Sequence, residues 1–179
     1  VNQWRLAVLV DEAHNLVERA RQMYSASLDQ WQLHSLRRSK PAGIGNALDR
    51  LNRQWNALHK TQVAPYRVVE ELPEAFLKAL QQCIGQIQEQ LNQQPAGIDP
   101  AVLQFFFQAL QFVRVSELYG EHFLFDISKR EGPGKRSLST LCLRNVVPAA
   151  QIGPRMAAAR SVTLFSATLG PRRYYADLL

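Results

Sequence analysis

The chain has 179 residues, 46% of them hydrophobic, and a formal net charge of +6, which excludes a disordered chain and allows one good core or one core plus part of another. No apolar run reaches membrane length and no signal peptide is present, so no membrane partner and a cytoplasmic setting are expected; Cys83 and Cys142 stand far apart and argue against a disulfide framework or a zinc site. The positive charge suits a polyanionic partner without identifying one.

In chain order, Leu6-Ala7-Val8-Leu9-Val10 predicts a strand buried on both faces of a parallel sheet. It runs into Asp11-Glu12-Ala13-His14. Parallel sheets hold their ligands just beyond the carboxyl ends of the strands. Asp11 at that exit can hold Mg²⁺ through its water shell. Glu12 can orient and deprotonate a water that attacks a γ-phosphate. His14 lies too far along to share the ion and is read as sensing or coupling the nucleotide state. Asp-Glu after an apolar strand is also an ordinary helix start, so the motif needs a second one beside it.

After His14 the pattern turns helical, with Leu16, Ala20 and Met23, and then less regularly Leu28, Trp31 and Leu36. The basic stretch Arg37-Arg38-Ser39-Lys40 before Pro41 breaks it. A second helix carries Ile44, Leu48, Leu51, Trp55 and Leu58 on one face, and Trp31 and Trp55 are both read as core. Pro65 marks a break. A third helix from near Pro73 aligns Phe76, Leu80, Ile84, Ile87 and Leu91, with glutamines from Gln81 to Gln94 on its outer face. Pro95 to Pro100 interrupts, and Asp99-Pro100 is a cap and first-turn pair for a fourth helix. That helix carries Leu103, Phe106, Phe107, Leu110 and Val113 and ends near Gly120.

The period then changes to two. Phe123, Phe125 and Ile127 alternate with Leu124, Asp126 and Ser128, and Leu138 to Leu143 resumes after turn residues. This predicts a strand pair. Finally Ser161-Val162-Thr163-Leu164-Phe165, a second apolar strand, runs into Ser166-Ala167-Thr168-Leu169. Hydroxyls at Ser166 and Thr168 can bond both the acidic motif and a nucleic-acid path, which links hydrolysis to movement.

A phosphate loop needs Gly, four residues, then Gly-Lys-Ser/Thr. The nearest candidate, Gly132-Pro133-Gly134-Lys135-Arg136-Ser137, lacks the first glycine, since Lys129 stands there, and has Arg136 where a hydroxyl is required. The chain also starts at Val1 rather than Met and leads at once into a core strand. The expectation is a piece of a longer protein. Its expected fold is mainly α: a helical insertion with a small β-hairpin, flanked by two strands of an incomplete α/β domain. The expected divisions are 1–16, 17–145 and 146–179.

Val10-Asp11-Glu12-Ala13-His14-Asn15-Leu16, followed far later by Val162-Thr163-Leu164-Phe165-Ser166-Ala167-Thr168-Leu169, resembles the XPD/DinG branch of superfamily 2 DNA helicases. That branch places a long helical arch domain between the DEAH and SAT motifs, so the length of the gap is part of the match. The resemblance implies a RecA-like motor domain around the arch and an ATP- and Mg²⁺-dependent helicase moving 5′-to-3′ on single-stranded or forked DNA in repair. It makes Asp11, Glu12 and His14 the DEAH residues and Ser166 and Thr168 the coupling residues. It also implies that an iron–sulfur cluster, where the longer protein has one, lies upstream, with neither Cys83 nor Cys142 as ligand.

The arch would guide single-stranded DNA and dock a protein partner. Arg37, Arg38 and Lys40, and Lys129, Arg130, Lys135 and Arg136, are the candidate phosphate contacts. Tyr119 and His122 can stack bases, whereas Phe123 reads as core. The alternative is a non-enzymatic helical module that docks DNA or protein, with the flanking strands as scaffold.

Overall fold

The computed structural model describes residues 6–93, 99–132 and 137–179. The expectations attached to Val1, to the break at residues 95–98, and to Gly134, Lys135 and Arg136 lie outside the described residues. In chain order the elements are β1 (Ala7–Val10), α1 (Leu16–Met23), β2 (Ala26–Asp29), α2 (Gln30–Ser39), α3 (Gly45–Thr61), β3 (Tyr66–Val69), α4 (Glu74–Gln93), α5 (Pro100–Ser116), β4 (Phe123–Glu131), β5 (Ser137–Asn145), α6 (Ala149–Ala157), β6 (Ser161–Leu164) and α7 (Arg172–Leu178). A 3-10 turn covers Ala13–Asn15.

The expectation of a mainly α fold, a helical insertion with a small β-hairpin between two flanking strands, is overturned. Among the described residues 55% are helical and 21% are in strands, in two sheets, which makes a mixed α/β fold. One sheet is the parallel pair β1-β6; the other is four-stranded and antiparallel, in the order β2-β5-β4-β3. Two of its strands, β2 and β3, are four residues each and went unread. Four residues hold too few alternations to be separated from helical spacing. Leu28, assigned to a helix by its spacing, lies in β2 opposite Leu141.

The chain forms two compact units. The first takes Val1–Ser25, Glu121–Phe123 and Arg144–Leu179; the second takes Ala26–Gly120 and Leu124–Leu143. The chain passes from one unit to the other after Ser25, Gly120, Phe123 and Leu143.

In the first unit β1 and β6 run parallel, with Ala7 opposite Ser161 and Val10 opposite Leu164. The ladder extends beyond the strands through Arg160 N–H to Leu6 O (2.8 Å) and Phe165 N–H to Val10 O (3.1 Å). β1 is not buried on both faces: Leu9 is 73% exposed and Val8 37%. Parallel sheets normally carry a layer on each face; in this unit α6 contacts β6, and β1 stays largely exposed.

In the second unit the helices form the apolar layer on the antiparallel sheet. α2 packs on α3, α3 on α4, α4 on α5, and α5 on β2. The stripe of α3 is as the periodicity predicts, with Ile44, Leu48, Leu51 and Trp55 all buried. Phe76 and Leu80 of α4 meet it, and Trp55, Phe76 and Phe112 form a run of edge-to-face aromatic contacts with centroids 5.4 and 6.2 Å apart. Such pairs contribute about 0.5–1.5 kcal/mol beyond burial. Asp29 caps α2 by accepting from Trp31 N–H (2.8 Å) and also pairs with Arg130. Asp99 caps α5 by accepting from Ala101 N–H (2.8 Å), with Pro100 in the first turn.

Two faces differ from the periodic reading. Trp31 is exposed rather than core. In α5 the buried set is Val102, Phe105, Phe106, Ala109, Phe112 and Val115, and Phe107 faces solvent. This helix is apolar around most of its circumference, so spacing alone does not select the inward face. On β4 Phe123, Phe125 and Ile127 are buried as the alternation predicts, but Asp126 between them is buried as well.

His59 on α3 is held below its ordinary value of 6.5, first by burial and then by the nearby Lys129 ammonium. The unfolded chain therefore binds more protons than the folded one as pH falls below that value. Stability is full above it and declines as pH falls through the lowered folded value. Urea midpoints from pH 7 to pH 5 should fall, and His59→Gln should flatten that part of the curve. An unchanged slope in the variant would remove His59 as the cause.

Candidate functional site

The β1-β6 pairing brings the two sequence motifs together. β1 ends at Val10, and Asp11 and Glu12 follow at its carboxyl edge. β6 ends at Leu164, and Phe165 and Ser166 follow beside them. Parallel strands in this register place both exits on the same edge of the sheet. Ala13 N–H donates to Phe165 O at 3.1 Å and joins the two exits through the backbone.

Asp11 is exposed, and its Oδ1 accepts from Glu12 N–H at 2.7 Å. Glu12 sits in the left-handed region at φ 52°. Few non-glycine residues adopt this conformation, and those that do concentrate at functional sites. The Asp11 carboxylate holds it from one side, and Asn15 N–H, donating to Glu12 O at 2.9 Å, holds it from the other. The turn at Ala13–Asn15 begins immediately after it.

His14 is the joint of the site. Its Nδ1 lies 2.8 Å from Ser166 Oγ and 3.0 Å from Glu12 Oε2. With a proton on Nδ1 the imidazole donates to the Glu12 carboxylate, and Ser166 Oγ competes for the same N–H. With Nδ1 bare, the Ser166 hydroxyl donates to it. The placement of one proton thus decides which motif His14 holds. Thr168 enters through its backbone, with its N–H 3.4 Å from Ser166 Oγ. This is long for a hydrogen bond and correspondingly weak.

The structure therefore gathers Glu12, His14 and Ser166 by side-chain contact, Asp11 through Glu12, and Thr168 through Ser166. The sequence reading did not anticipate the Phe165 carbonyl or the left-handed backbone at Glu12. Neither has a side-chain signal, because both are consequences of the strand register.

Among the described residues the candidate phosphate contacts Arg37, Arg38, Lys40, Lys129 and Arg130 lie in the second unit, and several are engaged within it. Arg37 pairs with Asp49 at 2.7 Å. Lys129 donates to Gln62 O, and Arg130 pairs with Asp29. Arg38 and Lys40 are exposed at the end of α2. Tyr119 donates its hydroxyl to Glu70 O at 3.2 Å, and Phe123 is buried. Cys83 is fully buried on α4, and burial pushes its thiol up to about 12, which makes it an unreactive thiol at neutral pH. Among the described residues no cluster of three or more His, Cys, Asp or Glu can hold a metal, and no helix is long and apolar enough to cross a membrane.

Compared with known proteins, the chain matches no family model and no curated sequence.

Proposed function

We propose that this chain is part of an ATP-dependent 5′-to-3′ DNA helicase of the XPD/DinG type, spanning the DEAH motif, the arch domain and the SAT motif. The observation that carries the reading is the contact of His14 Nδ1 with both Glu12 Oε2 and Ser166 Oγ at the shared edge of two parallel strands. A chance DEAH and a chance Ser-Ala-Thr, 152 residues apart from His14 to Ser166, have no reason to meet there.

The donor set suits the cofactors. Mg²⁺ bound with phosphates needs only one or two protein carboxylates and keeps several waters, which the exposed Asp11 carboxylate can provide. The ion supplies charge neutralisation at the phosphates. Glu12 positions and deprotonates the attacking water. His14 carries the state of that carboxylate to Ser166, and Ser166 and Thr168 carry it toward the DNA. The phosphate loop belongs to another part of the longer protein, since no Gly-Lys pair in this sequence meets its pattern. The bare faces of β1 support a sheet that further elements of the longer protein cover. The second unit would guide single-stranded DNA and dock a protein partner.

Ser166→Ala in the full-length protein tests the coupling role. It should reduce strand separation by about tenfold, the worth of about 1.4 kcal/mol of coupling, while changing ATP turnover much less. ATP hydrolysis and unwinding of a forked duplex, assayed side by side, give the ratio. Equal losses in both would remove coupling from Ser166 and make it part of the hydrolytic site.

A further inference from the structure

The second unit carries a groove of about 400 Å³ where α2 gives way to α3. Its lining is Arg37, Lys40 and Pro41 from the end of α2 and the turn after it, and Gly45, Leu48 and Asp49 of α3. We infer that this groove docks an acidic segment of a partner protein, with Lys40 receiving a carboxylate side chain and Asp49 receiving an N–H of the same segment. The inference rests on the docking role proposed for the second unit. It uses no residue of the two motifs, so it stands or falls apart from the helicase reading.

The charges left over after internal pairing favour a polypeptide. Arg37 places both its Nε and its Nη2 2.7 Å from Asp49 Oδ1, so these two charges largely cancel while Asp49 Oδ2 faces no guanidinium nitrogen. Arg38 and Lys40 are exposed and make no ion pair among the described residues. The lining therefore offers one free ammonium beside one carboxylate oxygen. A polypeptide carries a partner for each, a carboxylate and an N–H. A phosphodiester backbone presents acceptors alone and would meet Asp49 with like charge. A second copy of this chain is the poorer occupant, because 21 Lys and Arg against 15 Asp and Glu set two copies against each other.

The groove is built on held backbone. Lys40 lies at φ 49° and ψ 57° directly after α2, the left-handed position that helices usually give to glycine. A lysine there keeps an ammonium at a backbone cost, and such residues concentrate at functional sites. Gly43, at φ 77°, lies against Gln90 of α4, whose amide occupies the space a Cβ would take. The turn is thereby held on the helical layer. Leu48 is fully buried and forms the floor, and half-buried Pro41 forms an apolar rim. The volume sits near the low end of the about 300–1,000 Å³ of small-ligand sites, room for one or two side chains of a docked segment.

The probe is a fluorescein-labelled hexapeptide, Glu-Leu-Asp-Glu-Leu-Asp, read by anisotropy against the full chain beside its amide counterpart, Gln-Leu-Asn-Gln-Leu-Asn. The acidic peptide should bind, more weakly as salt rises, and the amide peptide should not. Lys40→Gly suits the left-handed backbone, so it should leave the thermal midpoint no lower while weakening binding about fivefold. Lys40→Arg should bind within about twofold of the unaltered chain. Lys78→Gln, which removes the same charge from an exposed position on α4, should bind as the unaltered chain does. Undiminished binding by Lys40→Gly, an equal loss in Lys78→Gln, equal binding of the two peptides, or no binding of the acidic peptide at about 1 mM each overturns the groove and leaves the helicase reading untouched. Labelled oligothymidine that binds in a Lys40-dependent way, where the acidic peptide does not, overturns it in favour of a nucleic-acid contact.

Discussion

Glu12→Gln in the full-length protein is expected to lower DNA-stimulated ATP turnover by about 10²–10⁴-fold, the range a positioned general base contributes, with nucleotide binding retained. The substitution keeps the shape of the side chain and removes its capacity to take a proton. It also replaces the carboxylate that faces His14 Nδ1 at 3.0 Å, so the imidazole loses an ionic partner and keeps Ser166. The backbone at Glu12 should not change, because the two bonds that hold its left-handed conformation run to its own main-chain N–H and C=O. Steady-state hydrolysis and titration with a fluorescent nucleotide read the two quantities separately. Turnover unaffected by the substitution would leave the motif without a hydrolytic role, and the chain would then be best described as a docking module for DNA or protein.

Trp55→Ala should cost the second unit about 3–5 kcal/mol, the usual range for deleting a fully buried tryptophan. That is a large fraction of the about 5–15 kcal/mol that typically separates a folded domain from its unfolded chain. Trp55 has no exposed surface, stands edge-on to Phe76, and donates its indole N–H to Ser139 Oγ at 2.9 Å. Ser139 in turn donates to Gln30 Oε1 through both its N–H (3.0 Å) and its hydroxyl (3.2 Å), and Gln30 Nε2 donates to Asn56 Oδ1 at 2.9 Å. The residue therefore fills the centre of the helical layer and closes a buried polar chain between α3, α2 and β5. Trp55→Phe separates the two roles. It keeps most of the apolar volume and deprives Ser139 of a donor, at a cost of about 1–3 kcal/mol. Urea unfolding followed by far-ultraviolet circular dichroism gives both values. A cost below about 1 kcal/mol for Trp55→Ala would mean the core closes around the gap and does not depend on this ring.

The parts of the fold that were legible share one property: their signal is local and repeats. Ile44, Leu48, Leu51 and Trp55 recur at helical spacing, and Phe123, Phe125 and Ile127 alternate, and in both cases the inward face matches. The parts that were not legible lacked repetition or contrast. β2 and β3 are too short to show a period, and α5 is too uniformly apolar to show a face. Missing those two strands turned a mixed fold into one expected to be mainly α. The exposure of Leu9 and Trp31 was equally hidden, because exposure depends on what else packs nearby and not on the residue's own character.

For the candidate site, the sequence by itself determined which groups are available: two carboxylates, an imidazole and two hydroxyls, each set directly after an apolar strand. It also determined that a phosphate loop of the required pattern is absent from these residues. Only the tertiary structure decided that the groups meet. The parallel register of β1 on β6 carries His14 to Ser166 across 152 positions, sets Phe165 O against Ala13 N–H, and places Glu12 where its backbone turns left-handed. Strand pairing is a through-space relation between distant segments: the backbone of each can pair in many registers, and the faces its side chains must occupy, with the geometry of the connections, select one.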